Sequence, residues 1–259
     1  MKTPVLFVGH GNPMNAIERN EYYREWVALG RRLPRPDAIL CISAHWETRG
    51  AYVTATDKPE TIHDFYGFPK ALFDVKYPAP GAPALARRVS DLVTSERVHL
   101  DPGRGLDHGA WSVLIAMYPA ADVPVVQLSI DTSRPGSHHY ALARQLAPLR
   151  DENVLIVGSG NMVHNLRLFS FHDARPQAWA QQCDEELRVR ITARDHSFLM
   201  DYGGGDAQAR LALPTPEHYD PLLYALALQD ADEPAEFFNA RVISAISMTS
   251  VLIGSPPRA

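Results

Sequence analysis

A chain of 259 residues is long enough to bury a sizeable core, as one large α/β domain or two small ones. Its net charge of −5 leaves no basic face for nucleic acid or anionic membrane, and no apolar stretch approaches the roughly 20 residues of a membrane span. The N-terminal MKTPVLFVGHG meets His and Gly too early for a secretory signal, and Cys41 and Cys183 lack a CxxC neighbour, so both are expected as reduced thiols of a cytoplasmic protein.

In chain order, Val5–Val8 reads as a short buried strand and Glu21–Arg32 as a helix. Ala38–Ile42 and Ala51–Thr54 read as strands, followed from Asp57 to Pro80 by a long aromatic stretch without clear period. Helical patterns over Ala82–Thr94 and Ala110–Met117 lead into a strand over Val123–Ile130. Then come a helix over Ser137–Leu149, a strand over Val154–Gly158, helices over Gln177–Arg190 and Pro221–Leu228, and a last strand over Ala245–Ile253. Pro and Gly mark the joints, with no internal repeat or linker. The alternation predicts a single α/β domain over residues 1–259, with a mostly parallel central sheet flanked by helices. In such sheets the loops beyond the carboxyl ends of the strands converge on one edge, where a metal or ligand is expected.

Three histidines follow apolar strand runs and so arrive at that edge: His10 after PVLFVG, His45 after AILCISA and His164 after VLIVGSGNMV. Imidazoles converging by one route suggest a metal site. Gly9 and Gly11 let the chain turn sharply at His10; the turn also fits phosphate binding or a structural histidine, but GxGxxG and a Walker lysine are absent. His45 alone reads as a structural histidine, and becomes a stronger ligand candidate beside His10 on a neighbouring strand. His164 fits a ligand and a general base equally; the preceding Gly158-Ser159-Gly160 lacks the GxSxG of a nucleophile elbow, so Ser159 reads as a turn residue or helix cap. His218, in PTPEHYD, is either a ligand from a distant, proline-stiffened segment or a surface residue at a helix start marked by Thr215 and Glu217. His108, between Asp107 and Gly109, fits an acid–base histidine or a cap. His63, with Phe65, Tyr66 and Phe68, fits a substrate-pocket wall as well as an ordinary packed loop. His99, His138, His139, His172 and His196 read as solvated.

Taken together, GHGNPMNAI, SAHWETRG, TIHDFYGFP, the YPAPG loop, GLDHGAWSVL, VVQLSID, GSGNMVHNLR and PTPEHYDPLLYAL resemble the 4,5-DOPA extradiol dioxygenase family, a branch of the class III extradiol ring-cleavage dioxygenases. The words occur in order from Val5 to about Gly254. The resemblance implies one α/β domain with a mononuclear metal in a cleft at the sheet edge. By motif, His10, His45 and His218 would be metal ligands, His164 a fourth ligand or an acid–base catalyst, and His108 the second active-site histidine. The wider class, which includes the β subunit of protocatechuate 4,5-dioxygenase, uses two histidines and a carboxylate. Here His218 stands where a glutamate is expected, and Glu217 beside it is expected to point elsewhere.

Zn(II) binds nitrogen sites more tightly than Fe(II), so isolated protein is expected to carry zinc while turnover requires iron. The implied reaction inserts both atoms of O2 into a catechol, L-DOPA or a related small one, in a monomer or small homo-oligomer. Three neutral imidazoles also suit a zinc hydrolase of an amide or ester. The same fold serves non-catalytic proteins too, against which the full set of histidines argues.

Overall fold

The computed structural model describes residues 2–205 and 207–254. Its frame is an eight-stranded sheet of β1 (Val5–Gly9), β2 (Ala38–Thr48), β3 (Ala51–Thr54), β4 (Val98–Asp101), β5 (Val125–Asp131), β6 (Val154–Gly160), β7 (Ala235–Phe238) and β10 (Ser250–Ile253). Two short strands, β8 (Val242–Ile243) and β9 (Ile246–Ser247), form a separate antiparallel ribbon. The helices are α1 (Glu21–Arg32), α2 (Lys70–Phe73), α3 (Pro83–Leu92), α4 (His108–Met117) and α5 (Gly136–Gln145), then α6 (Ala178–Thr192), α7 (His196–Asp201), α8 (Ala207–Ala212) and α9 (Asp220–Ala227). Among the described residues, no helix is long and apolar enough to cross a membrane.

The order across the sheet is β4-β3-β5-β2-β6-β1-β10-β7. β5, β2, β6 and β1 run parallel at the centre, with β3 and β10 joining antiparallel on either side. The predicted α/β class and mostly parallel sheet are therefore what the chain forms. β1, β5 and β6 are buried throughout, which is why they read as continuous apolar runs and not as an alternation. Leu40, Ile42 and Val126 pack on one face with Leu187 of α6 and Leu222 of α9. Ile39, Cys41 and Val125 pack on the other with Trp26 of α1 and Trp111 of α4.

Several departures from the predicted elements position the site. β6, not β2, is the neighbour of β1, so His10 and His45 do not sit on adjacent strands. β2 runs past its predicted end to Thr48, and its pairing with β5 shifts register between Ile42 and Glu47. His45 therefore lies within a strand at an irregularity that re-aims its side chain. The predicted strand Ala245–Ile253 is broken at Met248 and Thr249 into β9 and β10. The α9 helix begins at Asp220, leaving Thr215, Glu217 and His218 in the irregular segment before it.

His139, expected in solvent, is 1% exposed. It shares the inward face of α5 with Leu142 and Ala143. Its Nδ1 lies 3.2 Å from the Tyr224 hydroxyl and its Nε2 3.6 Å from Asp220 Oδ2. Burial brings its pKa down to about 4. His138 and His196 are likewise partnered, by Glu96 and by the Tyr140 hydroxyl.

The glycines around Ser159 serve a close approach of backbones. A Cβ on Gly158 would collide with the Pro221 carbonyl and one on Gly160 with the His218 carbonyl, which accepts from the Asn161 N–H at 2.8 Å. Gly160→Ala is expected to push the His218 segment off the sheet edge, at a cost of about 1–3 kcal/mol. A lowered Tm together with reduced metal retention would register the shift; an unchanged Tm and full metal content would refute it.

Candidate metal centre

The carboxyl ends of β1 and β6, the bulge of β2 and the segment before α9 enclose a cavity of about 400 Å³, suited to a small ligand. His10, His45, His108, His164 and His218 all line it. His10 follows β1 at a turn where Gly11 takes a φ of 61°, the left-handed region that glycine enters without strain. Gly109 at the start of α4 leaves room for Ser43 and the His45 ring, which a Cβ there would strike.

Hydrogen bonding sets the tautomers. Ser159 Oγ donates to the Gly109 carbonyl at 2.6 Å, so it accepts from His10 Nδ1 at 3.0 Å. His10 thus presents a bare Nε2 to the cavity. His218 Nδ1 donates to Glu217 Oε1 at 3.0 Å, which bares its Nε2 as well. The Thr215 hydroxyl donates to the same carboxylate oxygen at 2.9 Å. His45 Nε2 stands 3.1 Å from His10 Nε2.

One ring nitrogen from each of His10, His45 and His218 lies within 4.8 Å of the other two. Imidazole nitrogens sharing one ion at about 2.0–2.1 Å stand about 3 Å apart, which the His10–His45 separation of 3.1 Å meets, and three imidazole donors suit a single divalent metal. Burial, followed by repulsion from neighbouring imidazoles, holds His10 and His218 well below the usual histidine pKa. Burial and then the His108 charge bring His45 down to about 4. Neutral imidazole is the form that binds metal.

His164 belongs to a different grouping, with Glu217 and His218. Its ring stacks on His218 at 3.5 Å and 10°, its backbone N–H donates to the Ala212 carbonyl at 2.9 Å, and burial lowers its pKa to about 4. His108 Nδ1 lies 3.0 Å from Asp64 Oδ2, and its backbone N–H donates to Asp64 Oδ1 at 2.9 Å. Burial raises the Asp64 pKa, but the hydrogen bonds and charge of His108 win and bring it to about 2. Behind this pair, buried Asp107 caps α4 through the Ala110 N–H and accepts from Ser43 Oγ at 2.6 Å and Gln127 Nε2 at 2.8 Å. Arg104 donates to the His45 carbonyl at 3.2 Å and so ties the bulge to the same network.

The model of the family described as the catalytic LigB subunit of aromatic ring-opening dioxygenase matches residues 4–251. The chain belongs to that family. It is 49% identical over 262 residues to the 4,5-DOPA dioxygenase extradiol of Escherichia coli K12, covering 98% of this chain and 95% of that one. The Beta vulgaris protein of the same name is 40% identical over 240 residues, with 90% of each chain covered. A crystal structure of an uncharacterized Escherichia coli K12 protein superposes with a TM-score of 0.86 at 45% identity, over 98% of this chain and 100% of that one.

This ring-opening dioxygenase departs from the sequence reading at the carboxylates and at His63. Glu217, expected to point elsewhere, faces His218 and fixes its tautomer. Asp64 sits in the aromatic loop and carries no local signature, because its partner His108 is 44 residues away. His63, expected in the substrate-pocket wall, lies one layer back with its Nε2 3.0 Å from the Val75 carbonyl and its ring against Phe65 and Trp111. Phe65, Tyr66 and Phe68 do line the cavity. Carboxylates that orient a ligating histidine carry about 10–100-fold in metal affinity. Glu217→Gln is expected to weaken metal binding by that factor, read by competition with a chromophoric chelator. An unchanged Kd would remove Glu217 from the site.

Proposed function

We propose that this enzyme opens a catechol ring beside its diol, both atoms of O2 entering the product, at one divalent metal held by His10, His45 and His218. The observation that carries this reading is the convergence of three neutral imidazole nitrogens in the wall of an aromatic cavity. The bound metal supplies a Lewis acid for the catechol oxygens and, as Fe(II), electron exchange with O2. Fe(II) is the working metal, and Zn(II), which binds nitrogen ligands more tightly, is what isolated protein retains.

His164 lines the cavity beside His218 and is neutral, so it is suited to accept a proton from an incoming catechol hydroxyl and return it as the ring opens. Its grouping with Glu217, outside the set of His10, His45 and His218, supports a proton-handling role over that of a fourth ligand. His108, backed by Asp64, is the second polar group toward the substrate. Phe65 and Phe68, edge to face at 5.4 Å, exclude water and flank the ring. L-DOPA is the reference substrate, since two relatives carry its name.

The test is O2 uptake with a simultaneous visible spectrum. Metal-stripped protein is reloaded anaerobically with Fe(II) or Zn(II) and given L-DOPA and simple catechols in air. One O2 consumed per catechol with a growing yellow product, only in the iron form, is the expected result. No uptake despite confirmed iron occupancy would overturn the reading and favour a zinc hydrolase.

A further inference from the structure

The three nitrogens assigned to the metal are not equally provided for. His10 has Ser159 Oγ behind its Nδ1 and His218 has Glu217 Oε1, both at 3.0 Å. A ring that donates outward through one nitrogen leaves the other bare, which is how metal-binding histidines are usually oriented. His45 Nδ1 makes no hydrogen bond among the described residues. The oxygen that faces it, Asp64 Oδ2, stands 3.8 Å away, too far for one. On the other side of the ring, Nε2 lies 3.1 Å from His10 Nε2. His10 Nε2 is bare, so a proton on His45 Nε2 would be shared between the two rings and would stand where the metal has to be. Which nitrogen of His45 carries the proton therefore decides whether the site is open.

Asp64 supplies a bias. It enters from the loop after β3 and is held twice by His108, whose backbone N–H donates to Oδ1 at 2.9 Å and whose ring Nδ1 lies 3.0 Å from Oδ2. The rings of His45 and His108 are 3.9 Å apart, so one carboxylate oxygen faces Nδ1 of both. Among the described residues, these two imidazoles are the only basic side chains within ion-pair distance of Asp64. An ionised carboxylate only accepts, so a proton on His108 Nδ1 is favoured there and Nε2 is left available to the cavity. At 3.8 Å the same negative charge favours an N–H over a lone pair at His45 Nδ1. Phe65, next in the chain, lines the cavity with its ring 5.5 Å from that of His108. The segment that flanks the substrate thus also carries the carboxylate.

We propose that Asp64 is a positioning residue for both the metal and the substrate. It keeps the protons of His45 and His108 on Nδ1, which opens His45 Nε2 to the metal and His108 Nε2 to a catechol hydroxyl. The second half rests on the ring-opening reading above; the first needs only the metal.

Asp64→Asn is the test, because Oδ1 can still accept from the His108 N–H while an amide N–H replaces the charged oxygen facing both rings. Competition with a chromophoric chelator should show zinc bound about 10–100-fold more weakly, the scale for an outer carboxylate of a ligating histidine. Two-bond 1H–15N spectra of the histidine rings, taken on the zinc-loaded proteins, should show the His108 proton on Nδ1 in the parent and on Nε2 in the variant. With Fe(II) saturating, kcat should fall at least about tenfold, less than the 10²–10⁴-fold of losing a proton carrier outright, since His108 remains. KM for L-DOPA should stay within a few-fold, and the Tm of the metal-free protein should not move.

An unchanged zinc Kd, or a His108 proton that stays on Nδ1 in the variant, would overturn the proposal. The parent spectrum needs no variant to fold: a His108 proton on Nε2 there would overturn it too. Neither measurement depends on turnover. If both come out as expected and no catechol drives O2 uptake, ring opening falls and Asp64 keeps its place at the metal. If uptake occurs while affinity and spectrum ignore the substitution, ring opening stands and Asp64 is only a loop residue.

Discussion

His10→Ala is expected to empty the metal centre. The imidazole is 1% exposed and its bare Nε2 is held toward His45 by a hydrogen bond from Nδ1 to Ser159. Removing it leaves two of three nitrogens and a gap in the buried wall of the cavity. Loss of an outer partner of a ligand costs about 10–100-fold in affinity, so loss of a ligand itself should exceed that range. Metal content measured after dialysis should fall from about one per chain to near zero, and the rise in Tm that metal gives the parent protein should vanish. Far-UV circular dichroism controls for folding. Full metal occupancy in this variant would show that the triad of His10, His45 and His218 is wrongly drawn.

His164→Ala should separate chemistry from binding. Its ring touches the face of His218 and groups with Glu217, not with the nitrogens of His10 and His45. A positioned proton carrier is worth about 10²–10⁴-fold, and turnover should fall by that factor. Metal content should stay near one per chain and catechol affinity within a few-fold. If metal is lost in parallel with activity, His164 is a fourth ligand and the proton falls to His108.

Much of this site was legible because each histidine carries a local signature. His10 and His164 follow apolar strands through glycine, and His108 opens a helix behind the capping Asp107. What was not legible depends on partners remote in the chain. Glu217 looked like a helix-start residue until the Gly160 approach brought His218 and its neighbour down onto β6. Asp64 gains its role only from His108, and His139 reads as polar surface until α9 packs against α5. His63 keeps company with Phe65 in sequence yet turns toward Val75, away from the cavity.

The amino-acid sequence by itself determined the α/β class, the buried parallel strands and the histidines that follow them. Those features are written in local periodicity: a strand covered on both faces has to be a continuous apolar run. Only the tertiary structure decided which imidazoles meet, because that depends on β6 lying between β1 and β2, on the bulge at His45 and on Gly158 and Gly160. A residue's period tells which face it occupies. Separation across a cavity is set by how whole elements pack, and no local pattern records it.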